Sequence, residues 1–246
     1  MNIKFCVSLT SIPTRIKNVH QTINSLKKQS LKPDKIFLNI PYKYKRFQNS
    51  IIDEMEIKKV KAMNVEITRC EDYGPATKLM GSLKKIMQYD CVVFLDDDHI
   101  YNSKMCEIFI KEFKKKKINY SFYLQKIFKL NMGQGADGFL INTEFLKEIE
   151  KFYLKYVIKN ENLLMDDDLW ISIYLQFIQK KEIKNLKDIL LNKTGEKVVY
   201  KIHSSIDSLK DGFHKPKKFF NRRKIAKIEY IRFKIKNLFT KNFIDN

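Results

Sequence analysis

No apolar run in the chain approaches the roughly 18 to 20 residues that a bilayer-spanning helix needs, which excludes helical insertion and leaves attachment to a membrane surface open. Cysteine is scarce. Cys6, Cys70, Cys91 and Cys106 lie far apart with no C-x-x-C pair, so neither a zinc ribbon nor a disulfide framework is indicated, and a reducing compartment fits best. Arginine is scarce as well, with six of the 48 basic residues (Arg15, Arg46, Arg69, Arg222, Arg223 and Arg232). The net charge of +20 could draw the protein to nucleic acid, anionic lipid or phosphorylated substrates. Bidentate readout of guanine or phosphate favours the arginine fork, however, and lysine scattered on solvated helix faces is the plainer account. Glycine numbers seven, and three of them (Gly133, Gly135 and Gly138) fall within six residues, where a backbone bending closely around a ligand would need them.

What is present suits a packed core. Hydrophobic residues make up 44% and aromatics 13% of 246 residues, which excludes general disorder and favours one large globular domain. Residues 3–9, 35–40, 65–69 and 91–95 have strand length and β-branched or aromatic content. Between them, 17–29, 48–63 and 77–88 place apolar residues at three- and four-residue spacing. Strand then helix, repeated, predicts an α/β fold: a doubly wound, mostly parallel central sheet flanked by helices, with its ligand cleft at the carboxyl ends of the strands. The second half is less regular. Residues 121–130 read as a strand, 131–138 as the glycine-rich stretch, and 139–142 as a short apolar run before a helix at about 143–158. An amphipathic helix over 166–179 and a last strand over 198–203 follow.

The strongest local signal is the apolar strand 91–95 running into Asp96, Asp97 and Asp98. Three consecutive carboxylates repel one another unless a cation sits among them, and oxygen ligands of this kind suit Mg²⁺ or Mn²⁺. Along an extended strand end, Asp96 and Asp98 would face one metal and Asp97 would point elsewhere. An acidic turn capping the next helix is the bland alternative. Gly74-Pro75 supplies a tight turn after the third strand, and Thr77-Lys78 opens a helix whose free amides favour anions. Lys78 can then neutralise a phosphate, or be one exposed lysine among many. A second acidic run, Asp166-Asp167-Asp168, begins the helix that holds the only tryptophan, Trp170. Capping and the macrodipole account for one or two of these acids but not for three so near the glycines.

These elements, in this order, resemble the GT-A fold nucleotide-sugar glycosyltransferases, in particular family-2-like members that include small viral and bacterial enzymes. Apolar strand plus D-x-D looks like their metal motif, and Ser8-Leu9-Thr10 with Arg15 is similar to their nucleotide-binding start. Asp72-Tyr73-Gly74-Pro75-Ala76-Thr77-Lys78-Leu79 looks like the G-P-x-T-K-L element of a subset. The resemblance covers roughly residues 3–205. It implies a metal-dependent, inverting transferase in which Mn²⁺ or Mg²⁺ bridges the diphosphate of a nucleoside-diphosphate sugar. Asp96, Asp98 and a histidine near the end of the core would hold the metal, with His203 first and His214 and His99 as lesser candidates. Thr10, Arg15, Asp72, Lys78, Asp97, Gly135 and Asp137 are the expected donor-binding residues. Asp72 would hold the base edge or cap its turn, and Asp137, in a stretch that resembles the loop under the donor sugar, would bind sugar hydroxyls. Asp167-Asp168-Leu169-Trp170 resembles the acidic pair of inverting members, with Asp168 as base and Asp167 binding or orienting the acceptor, or the reverse. The acceptor would be a glycan, a lipid or a protein. A sugar-phosphate nucleotidyltransferase shares the sheet and the acidic site, and a basic nucleic-acid-binding module would leave the acids structural. The ordered acidic runs disfavour the last, so no nucleic-acid partner is expected.

Beyond Leu209 the chain changes character, so residues 1–208 are expected to form the GT-A domain and 209–246 a basic, amphipathic C-terminal helical extension. Between Lys210 and Lys241 there are twelve basic residues against two acidic ones, interleaved with aromatics. Such a helix can lie on anionic lipid, contact RNA, or pack through its apolar stripe against the core. The apolar stretch at the N-terminus is too short for a signal peptide and reads as the first strand. A cytoplasmic location is therefore expected, peripheral to a membrane if the tail binds lipid.

Overall fold

The computed structural model of the protein describes residues 2–187, 199–202 and 222–239. Its strands are β1 (Phe5–Thr10), β2 (Lys35–Pro41), β3 (Glu66–Cys70), β4 (Cys91–Phe94), β5 (His99–Tyr101), β6 (Asn119–Ser121), β7 (Leu124–Ile127), β8 (Leu130–Gly133), β9 (Phe139–Asn142), β10 (Ile183–Asn185) and β11 (Val199–Ile202). Its α-helices are α1 (Val19–Lys27), α2 (Glu54–Lys61), α3 (Thr77–Met80), α4 (Leu83–Ile86), α5 (Met105–Lys115), α6 (Ile149–Phe152), α7 (Glu161–Leu164), α8 (Asp167–Ile173) and α9 (Arg222–Phe239). Seven strands form one sheet in the order β10-β6-β9-β4-β1-β2-β3. The run β4-β1-β2-β3 is parallel, as the strand–helix alternation predicts, and β9 enters antiparallel between β4 and β6.

The side-chain alternation of the central strands sorts the core into two layers. Phe5, Val7 and Leu9 of β1, with Val93 and Leu95, pack against Ile23 of α1, Val60 of α2 and Phe109 of α5. Cys6 and the β4 residues Val92 and Phe94 face the other way, toward Leu79, Ile86, Phe152 and Trp170. Strands buried on both faces read as continuous apolar runs, which is why β1 and β4 are legible in the sequence. Among the described residues no helix is long and apolar enough to cross a membrane.

Three expectations are corrected in detail. The helix expected over 77–88 is two short helices. Gly81 packs so tightly that a Cβ there would lie 2.8 Å from Cys70 Sγ and 2.9 Å from Asn39 Oδ1, and Ser82 turns its hydroxyl to Asn39 and Thr68. The strand expected over 121–130 is divided: β6 joins the main sheet, while β7 and β8 form a separate antiparallel hairpin turned by Phe128 at φ 52°. A phenylalanine in the left-handed region carries no turn signal of the glycine or asparagine kind, so the hairpin is invisible to pattern reading. Helix α2 starts later than its apolar spacing suggests, because Asp53 caps it by accepting from Met55 N at 2.8 Å. The basic tail contains α9, which the sequence places as a helix. Residues 203–221 lie outside the described residues.

Candidate active site

Because β1, β3 and β4 are parallel and adjacent through β2, their carboxyl ends open on one edge of the sheet, and the polar segments that follow them meet there. The strand β4 ends at Phe94, so the acids after it lie in a turn and do not alternate as strand residues would. The expected shared face for Asp96 and Asp98 is therefore not what forms. Arg15 Nη1 lies 2.7 Å from Asp97 Oδ1 and 2.7 Å from Asp98 Oδ2, so those two share one guanidinium. Ser11 Oγ donates to the other oxygen of Asp97. The Asp97 backbone is fixed in turn by Thr22 Oγ1, which donates to its carbonyl at 2.9 Å. Burial raises the Asp97 carboxyl above the usual range, against the pull of Arg15.

Asp96 faces elsewhere. Its Oδ1 accepts from Lys78 Nζ at 2.8 Å, and the same ammonium lies 3.1 Å from Asp167 Oδ2. The two acidic runs, far apart in the chain, thus meet around one buried cation. Burial works against the charge on Lys78, but Asp167, Asp96 and Asp168 outweigh it and raise the ammonium well above its ordinary value. Burial alone would also raise Asp96, yet Lys78 overrides it and holds that carboxyl well below the usual range. Lys78 is therefore not the exposed lysine of the bland alternative.

In the second run the capping role falls to one residue. Asp166 Oδ1 accepts from Leu169 N at 3.2 Å, which leaves Asp167 and Asp168 for other work. Asp167 is buried and turned to Lys78, whereas Asp168 is half-buried and accepts from Gly135 N at 2.9 Å. Gly135 holds the glycine loop against both runs. A Cβ there would sit 2.8 Å from Lys78 Nζ, 3.4 Å from Asp168 Oδ1 and 3.6 Å from Asp96 Oδ1. Lys78 is pinned by two carboxylates and cannot swing away. Gly135→Ala is expected to cost about 1–3 kcal/mol by overpacking, measured by denaturant unfolding.

The remaining predicted residues line the same edge with different duties. Thr10 Oγ1 donates to Asn39 O at 2.7 Å, tying β1 to β2. Asp72 accepts from Lys45 N and from Gly74 N, each at 2.8 Å, which is the turn-capping role left open by the sequence. Asp137 is half-buried near His99 and Asp96, and burial raises its carboxyl. His203 and His214 lie outside the described residues. His99 lies beside the metal candidates: its Nδ1 is 2.5 Å from Asp98 Oδ1. Burial opposes its charge, but Asp98 outweighs that and raises the imidazole above its ordinary value. Stability from a raised imidazole is fully present below the unfolded value, about pH 6.5, and is lost as pH rises through the folded one. The melting temperature should accordingly fall above about pH 6.5, and His99→Gln should flatten that slope.

Sequence reading missed Ser11, Thr22, Tyr101 and Arg46. Tyr101 Oη bridges Asp96 O and Ala136 O at 3.2 Å each, joining the acidic turn to the glycine loop. The Arg46 guanidinium has a buried Nε with no hydrogen-bond partner, and burial lowers its pKa against the field of Asp72. Its loop is marked as a turn by Pro41 and Asn49, which say nothing of Arg46 itself. Only the scarcity of arginine marks it.

The chemistry of the carboxylates, though not a converged set of ligands among the described residues, suits a hard divalent cation. Asp96, Asp97, Asp98, Asp137, Asp167 and Asp168 crowd a cleft whose permanent cations are Arg15, Arg46 and Lys78, an excess of carboxylate oxygen suited to Mg²⁺ or Mn²⁺. Among the described residues no three ligating side chains converge on one point, so the protein part of such a site would be sparse.

No family model matches the chain, and no curated protein does. Solved structures do match. The fragment 1–349 of S. aureus TarS superposes with a TM-score of 0.54 at 17% identity, over 85% of this chain and 63% of that one. The same fragment in complex with UDP gives 0.51 at 15%, over 76% and 58%. The mannosyltransferase PcManGT from Pyrobaculum calidifontis, in complex with GDP-Man and Mn²⁺, gives 0.54 at 11%, over 75% and 55%. The fold is GT-A. The chain spans less than two thirds of the length of each of these neighbours, so the likeness concerns the GT-A sheet and its flanking helices.

Proposed function

We propose that the cleft binds a nucleoside-diphosphate sugar and transfers the sugar, with inversion, to a hydroxyl acceptor. The observation that carries this reading is the meeting of Asp96, Asp167 and Asp168 around Lys78 and the Gly135 amide. The GT-A fold supports it, because ligands of open α/β sheets bind at this edge, and the neighbouring structures hold UDP and GDP-Man.

Each residue then has a task. Arg15, Lys78 and Arg46, whose Nε has no hydrogen-bond partner, supply positive charge for the diphosphate. Asp137 and the glycine loop border the sugar. Asp168, the half-buried acid, takes the acceptor proton while the acceptor oxygen bonds to the anomeric carbon, and the bond from that carbon to the diphosphate oxygen breaks with its electron pair. Asp167 stays on Lys78 and keeps the ammonium in place. Mn²⁺ or Mg²⁺ would be held by Asp96, on the Lys78 side of the cleft, and not by the Asp96–Asp98 pair, because Asp98 is turned to Arg15; the ion would offset charge on the departing diphosphate.

The test is release of nucleoside diphosphate from UDP- and GDP-sugars, followed with Mn²⁺ and with chelator. Release that needs the metal supports the reading. Pyrophosphate formed from a nucleoside triphosphate and a sugar phosphate would replace it with a nucleotidyltransferase.

A further inference from the structure

The C-terminal helix α9 has two apolar faces, and among the described residues only one is buried. Ala226, Tyr230 and Phe233 are buried. Tyr230 meets Phe128 and Phe177 with ring centroids 5.6 Å apart, and Phe233 lies 5.9 Å from Phe152 and 5.6 Å from Tyr156. Glu229 is buried beside them and binds Asn160, Asn162 and Arg232. At 3.6 residues per turn the opposite side of the helix carries Ile228, Ile231 and Ile235, which are exposed by 40%, 46% and 49%. Isolated exposed apolar residues are ordinary, but three in register along one helix form a stripe that the fold leaves to solvent.

Basic residues surround that stripe. Arg223, Lys224, Lys227 and Arg232 are exposed on α9, and its one acid, Glu229, is buried and neutralised. The half-exposed ring of Phe128, at the tip of the β7–β8 hairpin, lies against the flank of α9, with its centroid 5.6 Å from that of Tyr230 at a 32° tilt and 5.6 Å from Lys227 Nζ. Lys234 is half-buried, with its Nζ 4.1 Å from the centroid of the Phe177 ring, and belongs to the flank of the helix.

We propose that the outward face of α9 is a docking surface for an anionic lipid bilayer. The three isoleucines would enter the headgroup–acyl boundary while the flanking ammonium and guanidinium groups meet lipid phosphates. A second copy of the chain would bring the same sign of charge to the same face, which opposes pairing. A nucleic acid would leave the isoleucines in water.

The test uses the full chain and vesicle co-sedimentation, comparing phosphatidylcholine alone with phosphatidylcholine containing phosphatidylglycerol. Binding is expected only to the anionic vesicles, and it should weaken as salt is raised. Combined Ile228→Ser, Ile231→Ser and Ile235→Ser should lower partitioning at least about tenfold. Combined Lys224→Glu and Lys227→Glu, which leaves the stripe intact, should do so by a similar factor. These side chains are exposed, so the melting temperature should hold in both variants. Absent binding, equal binding to both vesicle types, or binding that neither variant changes would overturn the proposal. So would a concentration-dependent dimer in sedimentation velocity that the isoleucine variant abolishes.

Discussion

Asp168→Asn is expected to lower sugar transfer by about 10²- to 10⁴-fold and to leave nucleoside-diphosphate binding intact. An asparagine oxygen can still accept from Gly135 N, as Asp168 Oδ1 does at 2.9 Å, so the glycine loop keeps its position. What the amide lacks is affinity for the acceptor proton. The effect should therefore appear in kcat with little change in donor affinity, measured by transfer kinetics beside calorimetry. Asp167→Asn tests the exchanged assignment. Asp167 lies 3.1 Å from Lys78 and is buried, so its replacement should weaken donor binding as well. A kcat loss confined to the Asp167 variant would move the base to that residue.

Lys78→Met is expected to damage both stability and turnover. Removing one partner from a buried ion pair costs about 3–5 kcal/mol because the other charge stays behind. Asp167 is only 9% exposed at its side chain, but Asp96 is 37% exposed and water screens it. The lower end, about 3 kcal/mol, is the appropriate figure. For a chain of this size that corresponds to a fall of roughly 6–12 °C in melting temperature. The pH dependence carries a sign. With Lys78 in place the Asp96 carboxyl is depressed, so its stabilisation is full above its unfolded value of about 3.9 and is lost as pH falls toward the folded value. Without the ammonium, burial is left to raise Asp96, and the deficit of the variant should shrink on acidification. Transfer should drop by about 10²- to 10³-fold, the usual loss when one preorganised charge partner is removed from such a site.

Much of the fold is legible in the sequence, for identifiable reasons. In the parallel run β4-β1-β2-β3, the strands β1, β2 and β4 are apolar and buried, and the sequence pattern finds such strands. The acidic runs and the Gly74–Lys78 turn are contiguous in the chain, so their residue types suffice to nominate them. Pattern reading failed where tertiary contact decides. Nothing local distinguishes Phe128 as the hinge of a hairpin, and the antiparallel entry of β9 depends on β6 beyond it. The strand argument that set Asp96 and Asp98 on one face failed because β4 stops at Phe94 and Arg15 draws Asp98 toward Asp97. Arg46 could not be nominated because its significance lies in what surrounds it: the field of Asp72, Asp167 and Arg15, brought together only by the closed sheet edge.

The role proposed for the cleft, as a seat for a nucleoside diphosphate and a divalent cation, is most directly measured by titrating UDP and GDP into the protein, with and without Mn²⁺. Mn²⁺ electron paramagnetic resonance reports the ion independently. The account predicts saturable binding of at least one nucleotide, tightened by Mn²⁺, with an altered Mn²⁺ spectrum that Asp96→Asn abolishes. Neither nucleotide binding at millimolar concentration, or a Mn²⁺ signal indifferent to Asp96, would contradict it.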